Sequence, residues 1–561
     1  MMECENYDVV IVGAGLAGMT AAFRCVDAGR KVCICTDNHL CSGSSFYPKM
    51  DAIHCQAPDN DEDKNLFLED INIAGEGIND SFMNQYYLDH ITENIEYLAS
   101  LGVPVHRLKE KKLACFAEHP HRLYTWSGWE YIRRILSEKL KSSPNVTIRE
   151  HSFLAGIITE GRKARGIVVS DHLSPKCRLL WTSSVILATG GFGNLYQHNL
   201  NTADVSGSSQ ALALMTGASL VNLEFNQFIP GFLSPAYKTI FREGSFLYCR
   251  SLLDASGQDI LRNSIPDEIN YQNILRQRSQ HGPFTASYGD RLIDLTLFRA
   301  CKKKPSVGVR IIYDEAILQE RRSYIQNYIH WLKDSEKTDI TGDAIYIAPF
   351  FHAANGGIQV GHSCETEIEG LFACGECAGG IHGANRLGGN ASGSCLVFGT
   401  LSANTAMKYV EKGSSAMHQT DKGRDEDVIE KTFQMAYPSL YKQQRSDNAG
   451  ISLNPNVIVQ KLQSIMWLYA NVERNREGLM FALDAVCELE KQLPEAESAM
   501  SLSIPLLKTA QELTLAKAVL LAMVRRTESR GSHYRSDFPY KNPDMGHPMR
   551  ICRQDVITPI P

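Results

Sequence analysis

The hydrophobic pattern of the first 35 residues predicts a strand, a glycine turn, a helix and a second strand. Residues 7–12 and 31–35 are apolar runs, and residues 19–28 have helical periodicity. The turn between the first strand and the helix reads Gly13-Ala14-Gly15-Leu16-Ala17-Gly18. An isolated turn of this kind is a weak signal, but between a strand and a helix it is typical of a dinucleotide-binding fold. There the helix N-terminus faces a pyrophosphate.

The remaining pattern divides the chain into further units. Residues 64–105 and 126–141 have helical periodicity, residues 146–180 are β-rich, and residues 220–343 are irregular and rich in aromatic residues. The strand-and-loop pattern returns at 346–400, and helical periodicity resumes after a polar segment at 414–426. We therefore predict an α/β fold: a Rossmann-like domain in two parts (1–219 and 346–413), an inserted α+β domain (220–345), a helical bundle (427–540) and a C-terminal tail (541–561).

Polar residues after the second strand are candidates for cofactor contacts. Thr36 or Asp37 ends that strand, where a carboxylate or hydroxyl binds a ribose. Ser42, Ser44 and Ser45 follow in a hydroxyl-rich loop suited to phosphate contacts, although any one of these serines is about as well explained as a solvated loop residue. A buried strand at 185–187 ends in three small residues typical of a further cofactor contact: Ala188, Thr189 and Gly190.

The most informative stretch is residues 371–390. An apolar run leads into a Gly375-Glu376 turn, and Arg386 lies in the glycine-rich loop that follows. Glu376 is a candidate acceptor for a sugar hydroxyl, with an ordinary turn residue as the alternative. A helix beginning near residues 390–394 would direct its N–H groups at the cofactor ring, and we assign Asn390, Ser392 and Leu396 to this contact. A cofactor site joined to an anion-binding arginine suggests redox chemistry on a carboxylate.

Composition excludes several other classes of function. The chain has 561 residues, 43% hydrophobic and 21% charged, with a net charge of −6. Nucleic-acid binding is not indicated, because it usually requires a basic face. The longest apolar runs are shorter than the roughly 20 residues of a membrane span. The sixteen cysteines are scattered, without a four-cysteine metal signature, so we expect no metal site. A cytoplasmic protein is the expectation.

These motifs resemble the fumarate reductase / succinate dehydrogenase / L-aspartate oxidase flavoprotein family over nearly the whole chain. The resemblance rests on residues 13–18, 42–47, 188–191, 223–228, 352–357, 375–390 and 527–531. It implies FAD as the cofactor, a capping domain at the insertion, and oxidation or reduction across a carbon–carbon or carbon–nitrogen bond. Some members attach FAD covalently through a histidine in the 42–47 loop. Ser44 matches that position, which implies non-covalent FAD.

The resemblance also implies catalytic roles. Arg386 matches the arginine that binds the substrate carboxylate, and His352 matches its histidine partner. Bidentate arginine suits a carboxylate that gains charge during hydride transfer. The family's proton-carrying arginine precedes an aspartate. Here the order is reversed in Asp290-Arg291, so Arg291 is the candidate and Arg242 the alternative.

Three departures from the family pattern concern the substrate and the flavin. Ile229 occupies the place of a histidine that binds a second carboxylate, and Lys238-Thr239 occupies the place of a Thr-Glu pair. Burying an unpaired carboxylate against isoleucine would cost several kcal/mol. Lys49 replaces part of a glutamine/glycine-rich segment beside the flavin, where it could raise the flavin potential or reach the substrate.

The leading hypothesis is a FAD-dependent reductase or dehydrogenase acting on a carboxylate whose far end is not a second carboxylate. One alternative is L-aspartate oxidase or fumarate reductase proper. Another is a flavoprotein that transfers electrons within a larger complex. Since the sequence contains no cluster motif or second nucleotide fold, we expect an external electron carrier, such as an iron–sulfur protein.

Overall fold

The elements of the chain alternate between strands and helices in its first half and become helical near its end. The computed structural model describes residues 4–264, 270–413, 422–441 and 453–559. The strands are β1 (Cys4–Asn6), β2 (Val9–Val12), β3 (Val32–Cys35), β4 (Ile53–Ala57), β5 (His106–Lys112), β6 (His121–Trp126), β7 (Val146–Arg149), β8 (Ser152–Glu160), β9 (Lys163–Asp171), β10 (Ser174–Trp181), β11 (Val185–Leu187), β12 (Leu220–Val221), β13 (Asn226–Ser234), β14 (Cys249–Leu253), β15 (Val309–Tyr313), β16 (Ile345–Ala354), β17 (Gly357–Gln359), β18 (Leu371–Ala373), β19 (Ala378–Gly379) and β20 (Arg550–Ile551). The helices are α1 (Leu16–Asp27), α2 (Asp61–Gly75), α3 (Ser81–Ser100), α4 (Trp129–Lys141), α5 (Ser208–Thr216), α6 (Ile260–Ser264), α7 (Tyr271–Arg278), α8 (Arg291–Lys303), α9 (Ser323–Asp334), α10 (Asn390–Lys412), α11 (Lys422–Ala436), α12 (Pro455–Tyr469), α13 (Arg476–Lys491), α14 (Ile504–Arg525) and α15 (Arg553–Ile557).

A five-stranded parallel sheet carries the glycine turn. Its strand order is β18-β11-β2-β3-β7. The four strands β2, β3, β11 and β18 are wholly buried and apolar, as expected for a parallel sheet whose two faces are covered. The predicted strand, turn, helix and second strand are confirmed by β2, α1 and β3. Because the strands are parallel, the ends of β2, β11 and β18 meet at one edge, where the candidate residues lie.

An antiparallel sheet of order β13-β16-β15-β14 forms the centre of the insertion. Its strand β16 spans Ile345–Ala354 and pairs with β13 along most of its length, so this sheet continues past the predicted boundary at residue 345. Strand β12, by contrast, pairs with β17 and β20 in a separate sheet. The end of β16 therefore carries His352 from the inserted sheet into the site.

The C-terminal part is mainly helical, as predicted. Helices α12 and α14 confirm the helical periodicity predicted after the polar segment, and α14 is buried along almost its whole length. Of the predicted polar linker, residues 414–421 lie outside the described residues, and α11 begins at Lys422. The predicted tail contains β20 and α15. Among the described helices, none is both long enough and apolar enough to cross a membrane.

Candidate active site

The glycine turn is fixed by close backbone contacts. Gly13 has φ +103°, and a Cβ on it would lie 2.3 Å from the carbonyl oxygen of Ala188. A Cβ on Gly18 would lie 1.9 Å from the carbonyl oxygen of Gly13. Helix α1 begins at Leu16, and its N-cap Gly15 provides no side-chain acceptor. The first N–H groups of α1 are therefore left for an anion, as a pyrophosphate site requires.

A cavity begins above this turn and contains most of the predicted cofactor residues. It also contains residues that the sequence analysis missed on β8, before and at the start of α5, after β18 and in α10. The Ser- and Gly-rich run at 204–209, which leads into α5, was a usable signal for one of these groups. The predicted residues that line the cavity are Gly13, Gly15, Leu16, Ala17, Thr36, Asp37, Ser44, Ser45, Ala188, Thr189, Gly190 and Glu376. The lining residues that were not predicted include Ser152, Phe153, Leu154, Asp204, Val205, Ser206, Ser208, Cys374 and Cys395.

Asp37, the predicted ribose acceptor, already has two protein partners. Its Oδ1 lies 2.5 Å from His172 Nε2, and its Oδ2 lies 3.9 Å from Lys508 Nζ on α14. The hydrogen bond with Asp37 raises the pKa of His172. The helical part of the chain thus contributes to the ribose end of the cavity, a contact that no local sequence pattern predicts.

The predicted serine loop is held by polar partners from residues 201–204. Ser42 Oγ donates to Asp204 Oδ2 at 2.7 Å, and Ser44 Oγ accepts from Asn201 Nδ2 at 2.7 Å. Ser44, which the resemblance matches to the covalent histidine position, has no nucleophilic nitrogen. Lys49, predicted beside the flavin, has a 36% exposed side chain and donates to Tyr237 O at 2.7 Å.

Glu376 lies in the cavity wall with one oxygen fixed by backbone. Its Oε1 accepts the N–H of Ala354 at 2.9 Å. Burial raises its pKa, while the Ala354 N–H and the positive charge of Arg386 act in the opposite direction. Gly375 supports this turn with φ +66°, and a Cβ there would lie 2.8 Å from Ala17 Cβ. The predicted Gly375-Glu376 turn is therefore packed against the wall of the cavity.

The N-terminus of α10 is at the other end of the site. Its first residue, Asn390, accepts from Tyr87 OH at 3.4 Å, and Ser392 donates to the carbonyl of His54. Leu396 is buried in the same helix. Next to this terminus, Gln56 is fully buried, and neither atom of its carboxamide has a hydrogen-bond partner in the described structure. A buried orphan amide indicates a ligand that carries both donors and acceptors.

Arg386 is a buried cation that forms no ion pair with the residues that the structure describes. It is 8% exposed, donates from Nη1 to Leu387 O at 3.1 Å and from Nη2 to Gln227 Oε1 at 3.0 Å. Its Nε has no hydrogen-bond partner, and no carboxylate of the described residues pairs with it. Burial lowers its pKa, and the negative charge of Glu376 opposes that effect. An isolated buried guanidinium is costly, which favours an anionic ligand here.

The loop that carries Arg386 is supported by the C-terminal motif at 527–531. Ser532 N donates to Ala384 O at 3.0 Å, and Gly531 has φ +50° against the same residue. Glu528 accepts from Arg526 at 2.9 Å and from Arg530 at 2.8 Å, and its side chain is buried. This charged cluster is a structural support for the active-site loop.

Three histidines around the site are kept neutral. Burial, with Arg386 and Arg242 nearby, lowers the pKa of His352 to about 3. Burial and Arg386 likewise lower the pKa of His382 to about 3, and burial and Arg242 lower that of His54 to about 4. A neutral imidazole donates one N–H without adding charge, so His352 is suited to a hydrogen bond with a carboxylate.

The two candidate proton-carrying arginines have protein partners. Arg291 Nη1 donates to Ala286 O at 2.6 Å, and its guanidinium lies 5.8 Å from the ring centre of Tyr534. Arg242 forms an ion pair with Asp51. In the described contacts, neither arginine touches Arg386. The positive charges of Arg386 and Arg242 both act on His352, whereas Arg291 contacts Ala286 and Tyr534.

Two further residues near Arg386 bear on substrate choice. Ile229 is 5% exposed on β13, two residues from Gln227. Cys115, which the sequence analysis did not select, has its Sγ 3.2 Å from Gly282 N and 4.0 Å from Glu243 Oε1. Burial raises the pKa of the Cys115 thiol to about 12, so the thiol stays protonated at neutral pH.

Comparison with known proteins agrees with this geometry. The FAD binding domain model matches residues 8–392, and the fumarate reductase flavoprotein C-terminal model matches residues 459–555. The chain belongs to the fumarate reductase / succinate dehydrogenase / L-aspartate oxidase flavoprotein family, and it is a FAD-dependent oxidoreductase.

Individual relatives match over nearly their full lengths. L-aspartate oxidase 1 of Ralstonia nicotianae is 25% identical over 558 residues, covering 96% of each chain. A chain of the fumarate reductase (CoM/CoB) of Methanothermobacter marburgensis is 26% identical over 584 residues, covering 99% of this chain and 98% of the relative. The solved structure of Mycobacterium smegmatis Sdh1 in complex with UQ1 has a TM-score of 0.77 at 23% identity, covering 97% and 91% of the two chains.

The residues present fit FAD. Gly15 borders open space, since only Ser42 O, at 3.6 Å, lies within 4 Å of its Cβ position. The α1 N-terminus is free for a pyrophosphate, and the orphan amide of Gln56 lies at the α10 end of the site. FAD carries phosphates for the first two features and a ring with donors and acceptors for the third.

Proposed function

We propose that this protein is a FAD-dependent reductase or dehydrogenase for a carboxylate substrate whose far end is apolar. The observation that carries the proposal is the buried guanidinium of Arg386, which has no counter-ion among the described residues and a free Nε. Bound FAD, proposed to be non-covalent because Ser44 stands at the attachment position, supplies two-electron hydride chemistry. The remaining steps belong to side chains of the chain itself.

Arg386 and His352 are the proposed carboxylate clamp. The guanidinium offers paired N–H donors, and the neutral imidazole of His352 offers one more. Hydride transfer to the β-carbon of an enoate would place additional negative charge on the α-carbon and its carboxylate, which the fixed positive charge of Arg386 stabilises. Because Gln227 and Leu387 O hold the guanidinium, little reorganisation is needed as charge develops.

The far end of the substrate is proposed to be apolar. Ile229 provides no hydrogen bond where a second carboxylate would require one. The cation of Arg242 is already neutralised by Asp51. A second carboxylate at this end would therefore lose its hydration without gaining a free charged partner, whereas an alkyl or aryl group would bury apolar surface against Ile229.

Arg291 is the proposed proton carrier to the adjacent carbon, with Arg242 as the alternative. For this role Arg291 has to release Ala286 O, and Arg242 has to separate its proton from the Asp51 ion pair. An external electron carrier, such as an iron–sulfur protein, is proposed to exchange electrons with the flavin.

L-aspartate oxidase or fumarate reductase proper is the second candidate. Relatives with these names align over at least 95% of this chain. Ile229 argues against this candidate, because L-aspartate and fumarate each carry a second carboxylate that isoleucine cannot hydrogen-bond.

The test is reoxidation of the FAD-loaded enzyme after anaerobic reduction. Crotonate and cinnamate are offered as 2-enoates with apolar ends, fumarate as the dicarboxylate, and L-aspartate is offered separately to the oxidised enzyme. Reoxidation by a 2-enoate, lost in Arg386→Gln, supports the proposal. Reoxidation by fumarate but by neither enoate, or reduction of the oxidised enzyme by L-aspartate, overturns the substrate assignment.

A further inference from the structure

Lys238 is a half-buried cation that lies close to the serine loop of the cofactor cavity. We propose that Lys238 supplies the positive charge that raises the midpoint potential of the bound flavin, a role that the sequence suggested for Lys49. The proposal concerns the cofactor and does not depend on the identity of the substrate. It is carried by the contacts of the ammonium group and by the local balance of charge.

The position of Lys238 is fixed at several atoms. Its Nζ donates to Asn199 Oδ1 at 2.8 Å and to Asn201 O at 2.9 Å. Its backbone N donates to Phe232 O at 2.9 Å, and its carbonyl accepts from Tyr47 OH at 2.8 Å. The residue has φ +67°, which is uncommon for a side-chain-bearing residue. These contacts hold the ammonium charge of Lys238 at a fixed position.

The ammonium is connected to both halves of the site through Asn201. The side-chain nitrogen of Asn201 donates to Ser44 Oγ at 2.7 Å and to His352 O at 3.3 Å. Ser44 lines the cofactor cavity, and His352 belongs to the proposed carboxylate clamp. The Lys238 carbonyl accepts a hydrogen bond from Tyr47, which lies two residues after Ser45 in the chain. Asn201 therefore connects the Lys238 ammonium to Ser44 in the cavity wall.

The local charges leave this cation uncompensated. In the part of the chain that the structure describes, no carboxylate pairs with Lys238. Burial, and then the like charge of Lys49, lower its pKa to about 8, so it remains protonated at neutral pH. A partly buried cation without an anion favours whichever state of its surroundings is more negative. Two-electron reduction makes the flavin more negative at neutral pH, so the cation favours the reduced state.

Lys49 is less suited to this role. Its side chain is 36% exposed, and Glu336 Oε2 lies 3.6 Å from its Nζ. Solvent and the adjacent carboxylate both screen its charge. The two lysines are close in space and differ in ion pairing, so they form a matched pair for experiment.

The experiment measures the flavin midpoint potential by dye equilibration at neutral pH in the FAD-loaded wild type and in Lys238→Gln, Lys238→Arg and Lys49→Met. Lys238→Gln retains N–H donors but removes the charge, and Lys238→Arg retains the charge. We expect Lys238→Gln to lower the potential by about 30 mV or more, which corresponds to a tenfold shift for a two-electron couple. Lys238→Arg and Lys49→Met should stay near the wild-type value.

The proposal is overturned if Lys238→Gln keeps the wild-type potential, or if Lys49→Met lowers it as much. An equal fall of the midpoint potential in Lys238→Gln and Lys238→Arg would also overturn the proposal. It would show that Lys238 acts by positioning Asn201 and not by its charge. A fall in FAD affinity at unchanged potential assigns Lys238 to cofactor binding in both redox states, against the proposal. If Lys238→Gln does not retain FAD, Lys238→Met carries the same test.

Discussion

The carboxamide of Gln227 holds the guanidinium of Arg386 through a hydrogen bond of 3.0 Å, from Arg386 Nη2 to Gln227 Oε1. Gln227 in turn donates to Asn385 Oδ1 at 2.8 Å, which fixes which end of the amide faces the arginine. A neutral partner orients the cation and leaves its charge available for a ligand. A carboxylate in the same place would orient it equally well but would cancel that charge.

Gln227→Glu should therefore weaken binding of carboxylates. The new ion pair with Arg386 competes with the ligand, and we expect the dissociation constant of crotonate to rise about 10- to 100-fold. Titration of the oxidised enzyme, followed by flavin absorbance, measures it. Gln227→Met is the matched control, since it removes the hydrogen bond without adding charge and should weaken binding less. Equal affinity of Gln227→Glu and wild type would contradict the assigned role of Arg386.

Arg386→Lys should retain FAD but lose most of its reactivity toward carboxylates. Lysine keeps one positive charge, but it cannot present the planar pair of donors that a carboxylate accepts. We expect the rate of reoxidation by a reactive 2-enoate to fall roughly 100-fold or more. Stopped-flow absorbance measures the rate, and unchanged flavin content and melting temperature confirm an intact site. A rate within about threefold of wild type would remove Arg386 from the proposed clamp.

Ile229→His should broaden the substrate range toward dicarboxylates. The imidazole provides the N–H donor that isoleucine lacks, so the penalty for burying a second carboxylate decreases. We expect fumarate or succinate to bind about tenfold more tightly in the variant, and crotonate to bind no better. Ile229→Leu serves as the apolar control. If the histidine variant leaves dicarboxylate affinity unchanged, residue 229 does not face the far end of the substrate.

Gly13→Ala should abolish stable FAD binding. The added Cβ would meet Ala188 O at 2.3 Å, at a backbone φ of +103° that alanine disfavours. Gly29→Ala is the control: Gly29 also has a positive φ, +74°, but nothing lies within 4 Å of its Cβ position. We expect Gly29→Ala to cost about 1 kcal/mol of stability and to leave FAD affinity unchanged. Quenching of FAD fluorescence during titration distinguishes the two variants.

Glu512 on α14 should make stability depend on pH. Burial raises its pKa from 4.5 to about 7; Asp37 contributes in the same direction, and Lys508 opposes it. Between these values the folded state holds a proton that the unfolded state has lost. Stability from this group is therefore complete below about pH 4.5 and is lost as the pH rises through about 7.

Glu512→Gln should raise the free energy of unfolding near pH 8 by up to about 3 kcal/mol and give little gain near pH 5. Melting temperatures at the two pH values provide the measurement. Glu488→Gln on α13 is the control, since its carboxylate is 62% exposed and should have no such effect. An equal change at both pH values would show that Glu512 does not titrate in this range.

The local parts of the cofactor site were predictable from sequence because they depend on short-range rules. A strand followed by glycines and a helix specifies the contacts of Gly13 and Gly18 within a few residues. Glu376 and Arg386 were predicted from one stretch of the chain. Glu376 lines the cavity, and the positive charge of Arg386 acts on it. The contacts of Arg291 could not be predicted in this way, because its guanidinium donates to Ala286 O and lies 5.8 Å from the ring centre of Tyr534.

By itself, the sequence determined the α/β nucleotide-binding architecture and FAD as the cofactor, and it singled out Arg386 as the candidate for binding a carboxylate. Periodicity and turn chemistry act over a few residues, so they can be read along the chain. Only the tertiary structure decided which charges remain free. Asp51 neutralises Arg242, Glu336 accompanies Lys49, and Lys238 and Arg386 have no counter-ion in the described residues. Charge pairing depends on distances across the fold, between segments far apart in sequence, and no local pattern encodes those distances.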